Sequence, residues 1–308
     1  MSSIKSSIRK RHEIINKTVT IVLLIATIIS ASMIILIIGE ISGRGVRPFF
    51  HDYDGTTVNF FLFISGTSYY APLYRIGFVI IDTLYVVFLS ILLTTPIAVL
   101  TALFIVKMSY KWVGSILNTV VEVLAAIPSI IFGVFGSGYV VIGVKALASM
   151  FGVSTAGGLS TLSTVIVLTM MILPTVTMLS VTAIKSVPSN IEEGSLALGA
   201  SETQTYFKIS IQAAKPGIFA GIILGVGRAL GEATAVSLVS GNAGSGPSFG
   251  LFDTTRTLTS TILIGIKETT GLDYDIRFSI GIVLIVVILI TNFILNAVKK
   301  RMSRYYAT

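Results

Sequence analysis

The sequence predicts an all-α membrane protein of six transmembrane helices, and three observations predict it. The 308 residues are 53% hydrophobic and 12% charged, with a mean hydropathy of +0.91; a soluble chain carries about 25% charged residues. The apolar residues fall in runs long enough to cross a bilayer, about 20 residues each. The basic residues between those runs gather on one side.

The spans are expected at about 18–39, 75–106, 113–135, 160–184, 217–240 and 277–298. The first, Thr18 to Gly39, is too long for a signal peptide, and no small-x-small cleavage site follows it cleanly, so it reads as a retained helix. The second contains Pro96, which predicts a kink. With the N-terminus in the cytoplasm, the inner segments hold Lys5, Arg9, Lys10, Arg11, Lys17, Lys107, Lys111, Lys185, Lys208, Lys215, Lys299, Lys300, Arg301 and Arg304. The outer segments hold only Arg44, Arg47, Arg75, Lys145, Arg256, Lys267 and Arg277. Both termini are therefore expected in the cytoplasm of a multi-pass cell-membrane protein. The formal charge of +8 is explained by this asymmetry and does not point to nucleic acid. Two outer stretches, 139–151 and 256–268, are apolar or helically patterned but too short to span. They read as interfacial or re-entrant helices that either cap the bundle or gate its outer mouth.

Several chemistries are excluded. The chain has no cysteine, and His12 and His51 fall on opposite sides of the first span, so no metal site is expected. Gly246-Pro-Ser248-Phe-Gly250 matches a nucleophile elbow in spacing. It lies in a glycine-rich loop with no neighbouring histidine to act as base, so no catalytic residue is assigned. Gly-Lys never occurs, so there is no P-loop; any ATP that drives the protein is bound by another chain, and this one is expected to bind no cofactor and to be no enzyme.

Of the inner segments between spans, 185–216 is the longest. Pro188 ends the preceding helix. Ser189 stands three residues before Glu192, and Ser201 three before Gln204, which predicts two capping boxes opening two helices. Gly199 lies between them as a turn. Leu196, Leu198 and Ile209 are too apolar for a solvated loop. They pack either on the bundle's own inner ends or on a partner.

In this segment Glu193-Gly194-Ser195, three residues, Gly199, nine residues and Ile209-x-Ile211-Gln212 resemble the E-A-A-x-x-x-G loop of binding-protein-dependent ABC importer permeases in spacing. Two alanines are replaced by Gly194 and Ser195, and the terminal Leu-Pro by Ile211-Gln212. "EVLAAIPSIIFGVFG" (122–136), "MILPTVTMLS" (171–180) and "GRALGEATAVSLVSGN" (227–242) extend the resemblance over about 73–300. It is to the permeases of the phosphate transport system, more to the C-type subunit (PstC) than to its A-type partner. The resemblance implies the MetI-like permease fold, with residues 1–72 as tail, first helix and outer segment and 73–308 as the permease core. It implies a complex with a second homologous permease subunit (PstA-like), two ATPase subunits (PstB-like) that use the ATP, and an external phosphate-binding protein (PstS-like). It further implies that Glu193, Leu196, Ala197, Leu198 and Gly199 touch the ATPase.

Arg228 and Glu232 are the remaining puzzle. At 1.5 Å per residue from Gly217, Arg228 lies about 16 Å into the fifth span, and Glu232 about 6 Å beyond it on the same helical face. Gly217, Gly221, Gly225, Ala229 and Ala233 run beside them at four-residue spacing, leaving room for a neighbouring backbone or a ligand. Charges at that depth usually mark a pathway, although a self-neutralised clasp between helices is the alternative. The guanidinium fork suits a tetrahedral oxyanion, and by the family resemblance the pair occupies positions implicated in phosphate passage. A channel or secondary transporter gated by the pair, or an importer of another oxyanion, are the competing readings. Asp82 is expected at an interface, and Glu122 inside the third span with a basic partner elsewhere.

Overall fold

The computed structural model describes residues 2–53, 55 and 57–305, with side chains between 15 and 301. It is helical, and six of its helical stretches are long and apolar enough to cross a membrane. Helix α1 runs Ser2–Phe50. Its apolar middle is exposed all round, as a helix facing lipid would be. Only its outer end packs, where the Ser279 hydroxyl donates to the Gly45 carbonyl at 2.6 Å. A short helix α2 (Phe60–Ser65), capped by the Asn59 side chain, and a two-stranded ribbon, β1 (Tyr69–Tyr70) paired antiparallel with β2 (Leu73–Tyr74), lead into the second span.

That span, α3, runs Gly77–Leu103 and continues through one wide turn over Phe104–Met108; Pro96 sits inside it without ending it. The third span differs from expectation. The stretch 113–135 is not one helix: α4 (Lys111–Ala126) stops at Ile127, which is extended (ψ 127°). Pro128 drives that conformation, because a residue before proline is pushed out of the α region. The crossing helix is instead Ser129–Met150, formed by α5 (Ser129–Phe135), a wide turn at 136–140 and α6 (Val141–Met150). The segment 139–151, expected as a separate interfacial or re-entrant helix, is the second half of that span. Glu122 consequently lies on an exposed part of α4 and accepts a hydrogen bond from Asn118, 2.6 Å away on the same helix.

The fourth span is α7 (Thr161–Lys185). The inner segment follows as α8 (Ser189–Ala197), α9 (Glu202–Thr205) and a wide turn to Ser210. It runs directly into α10 (Ile211–Gly231), so the fifth span starts well before 217 and stops before 240. A separate helix α11 (Thr234–Val239), a loop, and α12 (Leu258–Leu263) precede the last span, α13 (Leu272–Tyr305).

Helices α3, α7 and α10 form the central bundle, with α13 laid on α10 and α1 on α13. The apolar core lies in three tiers. Ala102, Leu103, Ile184 and Ile218 fill the inner one, Leu168, Met171, Ile172 and Leu230 the middle, and Phe63, Phe78, Leu258 and Ile276 the outer. The glycine stripe of α10 serves close approach to α7. A Cβ at Gly217 would stand 2.6 Å from that of Ala183, and one at Gly225 2.9 Å from Val176 Cγ2. The stripe therefore holds a neighbouring helix and leaves no room for a ligand.

The short helix α12, in the stretch expected as an interfacial or re-entrant helix, is buried: Leu258, Thr259, Ser260 and Thr261 all lie inside. Thr257 and Ser260 form a capping box at its start. At its end Arg277 donates through Nη1 to the carbonyls of Thr261 (2.7 Å) and Ile264. An arginine assigned to an outer loop thus serves as the cation at a helix C-terminus. Nearby, the Tyr53 hydroxyl donates to Asp275 at 2.6 Å. Burial, with this bond, pushes that hydroxyl up to about 12, so the donor keeps its proton at any physiological pH.

Candidate functional site

The fifth span is broken at the residues that mattered most in the sequence. Helix α10 ends at Gly231, and Glu232 is extended (φ −78°, ψ 120°). Arg228 and Glu232 therefore do not share a helical face, and no ion pair joins them among the described residues. Each answers to a different helix end. Arg228 occupies the last turn of α10, where exposed carbonyls favour a cation. Glu232 stands before α11, and its Oε1 accepts from the Ala235 amide at 2.9 Å and the Thr234 hydroxyl at 2.8 Å. The carboxylate satisfies donors that the first turn of α11 leaves free. The Glu232 carbonyl, released from the helix ladder, takes the Thr259 hydroxyl of α12 at 2.6 Å. Glu232 is buried, and it ties the α10–α11 break to the outer helix.

Arg228 points elsewhere. Its Nη1 donates to the Thr175 hydroxyl of α7 at 2.8 Å. The guanidinium lines an open cavity of about 730 Å³ whose walls include Thr175, Leu179, Ala220, Leu224 and Asn292. Its other N–H groups make no hydrogen bond among the described residues. Beside Thr175, which lies midway along α7, such a surface cannot face lipid without a cost of several kilocalories. Thr175 and Asn292 were not singled out in the sequence. Each is a polar residue inside an apolar run, and that was the only signal available.

Asp82, expected at an interface, is instead 1% exposed, buried against Ser248, Thr255 and Arg256 of the outer loop. The Ser248 hydroxyl donates to the Asp253 carboxylate.

The inner segment follows its sequence with one exception. Ser201 and Gln204 form the expected capping box. Ser189 does not: Pro188 occupies the cap position of α8 and makes no side-chain bond. Glu192 is drawn away instead, accepting from Lys107 Nζ at 2.7 Å and from the Ser210 hydroxyl at 2.6 Å. One carboxylate thereby joins α8 to the inner ends of α3 and α10. Gly199 has φ +87°, a left-handed turn. Glu193, Leu196, Ala197, Leu198 and Gly199 are all exposed, Leu198 to 91%. Leu198 therefore packs on almost nothing within the chain, whereas Leu196 is partly covered and Ile209 is half-buried.

Comparison with known proteins places this architecture. Residues 94–304 match the family described as binding-protein-dependent transport system inner membrane component. A Bacillus subtilis protein named "Probable ABC transporter permease protein YqgH" is 36% identical over 70% of this chain and 68% of its own length. The phosphate transport system permease protein PstC of Mesorhizobium japonicum is 27% identical over 90% of this chain and 88% of its own. Among solved structures, a bacterial ABC transporter involved in import of the acidic polysaccharide alginate aligns with a TM-score of 0.63 at 19% identity, over 91% of this chain and 95% of that one. The MetNI methionine transporter in an inward-facing form aligns with a TM-score of 0.53 at 16% identity, over 79% and 96%.

Proposed function

The chain belongs to the binding-protein-dependent ABC transport permeases, and on that premise we propose that it is the phosphate-conducting subunit of an ATP-driven importer. The observation that carries the reading is Arg228. A guanidinium with free donors, deep in a span, at an open cavity, is a station for an oxyanion. The PstC relatives support phosphate over the other oxyanions. A second homologous permease (PstA-like) covers the cavity mouth, since lipid is a poor neighbour for an arginine. Two ATPase subunits (PstB-like) hydrolyse ATP and seat on Glu193, Leu196, Ala197, Leu198 and Gly199. A phosphate-binding protein (PstS-like) delivers the anion from outside, and both termini lie in the cytoplasm. Glu232 serves the pathway indirectly, by holding the break that leaves Arg228 at a helix end. A channel gated by an Arg–Glu pair is disfavoured, because no such pair forms.

The test is copurification followed by reconstitution. The purified complex should contain an ATPase and a second permease, and vesicles holding it should take up phosphate only with ATP and the binding protein. Uptake without ATP would overturn the reading, and so would accumulation of sulfate with phosphate excluded. Single cysteines fix the orientation. One at Ser201 should be shielded from an impermeant thiol reagent applied to intact cells, and one at Ser248 should react.

A further inference from the structure

We propose that Asn292 is a direct contact for the transported anion, completing with Arg228 and Thr175 a three-helix site for a protonated tetrahedral oxyanion. The inference rests on the phosphate reading above and adds to it a residue on a third helix. Cavity walls in this region come from α7, α10 and α13, and each helix contributes one polar side chain: Thr175, Arg228 and Asn292. The rest of the wall is apolar, including Leu179, Ala220 and Leu224. Arg228 and Thr175 bond to each other. Asn292 has no hydrogen-bond partner among the described residues, although it sits in the apolar run "VILITNFIL". An amide placed in such a helix without a partner costs about 1–3 kcal/mol, so its position calls for a polar ligand.

The donor set narrows the class. Arg228 supplies charge and N–H donors, and the Thr175 hydroxyl can turn a lone pair or its proton toward the cavity. The Asn292 amide offers N–H donors and a carbonyl acceptor together. Hydrogen phosphate and arsenate present both bare oxygens and an O–H group, so they can use both halves of the amide. Sulfate has no O–H to give and leaves the carbonyl unmatched. Glu232 is not available for this task, because its Oε1 is held by α11. Asn292 therefore supplies the one amide carbonyl among the side chains that line the arginine's cavity.

The test uses the reconstituted complex with binding protein and ATP. Wild-type vesicles that fail to take up phosphate would overturn the parent reading, and this proposal with it. Given wild-type uptake, Asn292→Leu should lower phosphate uptake about tenfold, the effect of losing one hydrogen bond to a charged group. Complex yield and ATPase rate should stay at wild-type level. Asn292→Gln keeps both amide functions in a roomy cavity and should retain most uptake. Asn296→Leu, one turn along α13 and outside the cavity wall, should change nothing. Full uptake in Asn292→Leu, an equal loss in Asn296→Leu, or a loss in Asn292→Gln as deep as in Asn292→Leu would each overturn the proposal.

Discussion

The two regions that carry this protein's chemistry were written in different ways. The inner segment follows short-range rules. A serine three residues before a glutamine makes the capping box at Ser201, and a glycine between two helices takes a positive φ at Gly199. The mid-span site follows a long-range one. "GRALGE" reads as an uninterrupted helix in an apolar run, yet the helix ends inside it. What stabilises the break lies elsewhere: the Thr259 hydroxyl on a carbonyl, and a second helix start that takes the carboxylate. The lesson is electrostatic. An arginine preceding a glutamate by four residues is the poorer order for a helical ion pair. It is the better order for two separate helix ends, cation at the C-terminus of one and anion at the N-terminus of the next.

The widest separation between the regions should come from Arg228→Gln. The amide keeps a bond to Thr175 but removes the charge, and losing a charge-assisted contact of about 3 kcal/mol lowers uptake about a hundredfold. The ATPase should still copurify, because the coupling surface lies at the inner end of the bundle. Loss of the ATPase along with uptake would mean that the two regions are not separable.

Gly199→Val attacks the other region. Nothing lies within 4 Å of a Cβ at Gly199, so the substitution acts through the backbone alone. A β-branched residue at φ +87° costs about 1–2 kcal/mol. The turn should open and the ATPase should be lost, with insertion of the subunit unchanged. Gly199→Asn tolerates the left-handed region and should retain most ATPase. Full ATPase retention in Gly199→Val would remove this segment from the coupling surface.

A smaller effect should reveal the bridge between regions. Lys107→Glu sets two carboxylates together at the inner end of α3 and should lower coupled transport several-fold. Lys107→Glu combined with Glu192→Lys restores opposite charges and should recover most of it. Failure of the double variant to recover would show that the Ser210 bond to Glu192, which the swap abolishes, matters more than the ion pair.

Legibility follows the range of the interaction. The six-span class, the paired inner helices and the glycine turn all depend on periodicity and caps within a few residues. The third span lies at Ser129–Met150 and not at 113–135 because Pro128 breaks the helix, and an apolar run does not register such a break. Glu192 was assigned to a cap at Ser189 because no sequence rule showed Lys107, 85 positions earlier, waiting at the end of another span. Asn292 and Thr175 could be found only once three helices had been brought around one cavity.

The mildest variant bears on what Glu232 does. A pathway carboxylate that repelled or accepted from the anion would be sensitive to loss of charge. A cap is sensitive to loss of its acceptor. Glu232→Gln keeps a side-chain carbonyl within reach of the Ala235 amide and the Thr234 hydroxyl, so the α10–α11 break should persist and uptake should stay within about twofold, since an amide caps a helix about as well as a carboxylate. Glu232→Ala removes the acceptor altogether and should lower stability by about 1 kcal/mol, as loss of a cap does. Its uptake should fall further than that of Glu232→Gln, because the end of α10 that carries Arg228 is no longer held. Phosphate uptake by the two variants, set beside their thermal midpoints in detergent, separates the roles. Parallel losses in uptake and midpoint mark a cap. An uptake collapse in Glu232→Gln at an unchanged midpoint would make the carboxylate itself a station on the pathway.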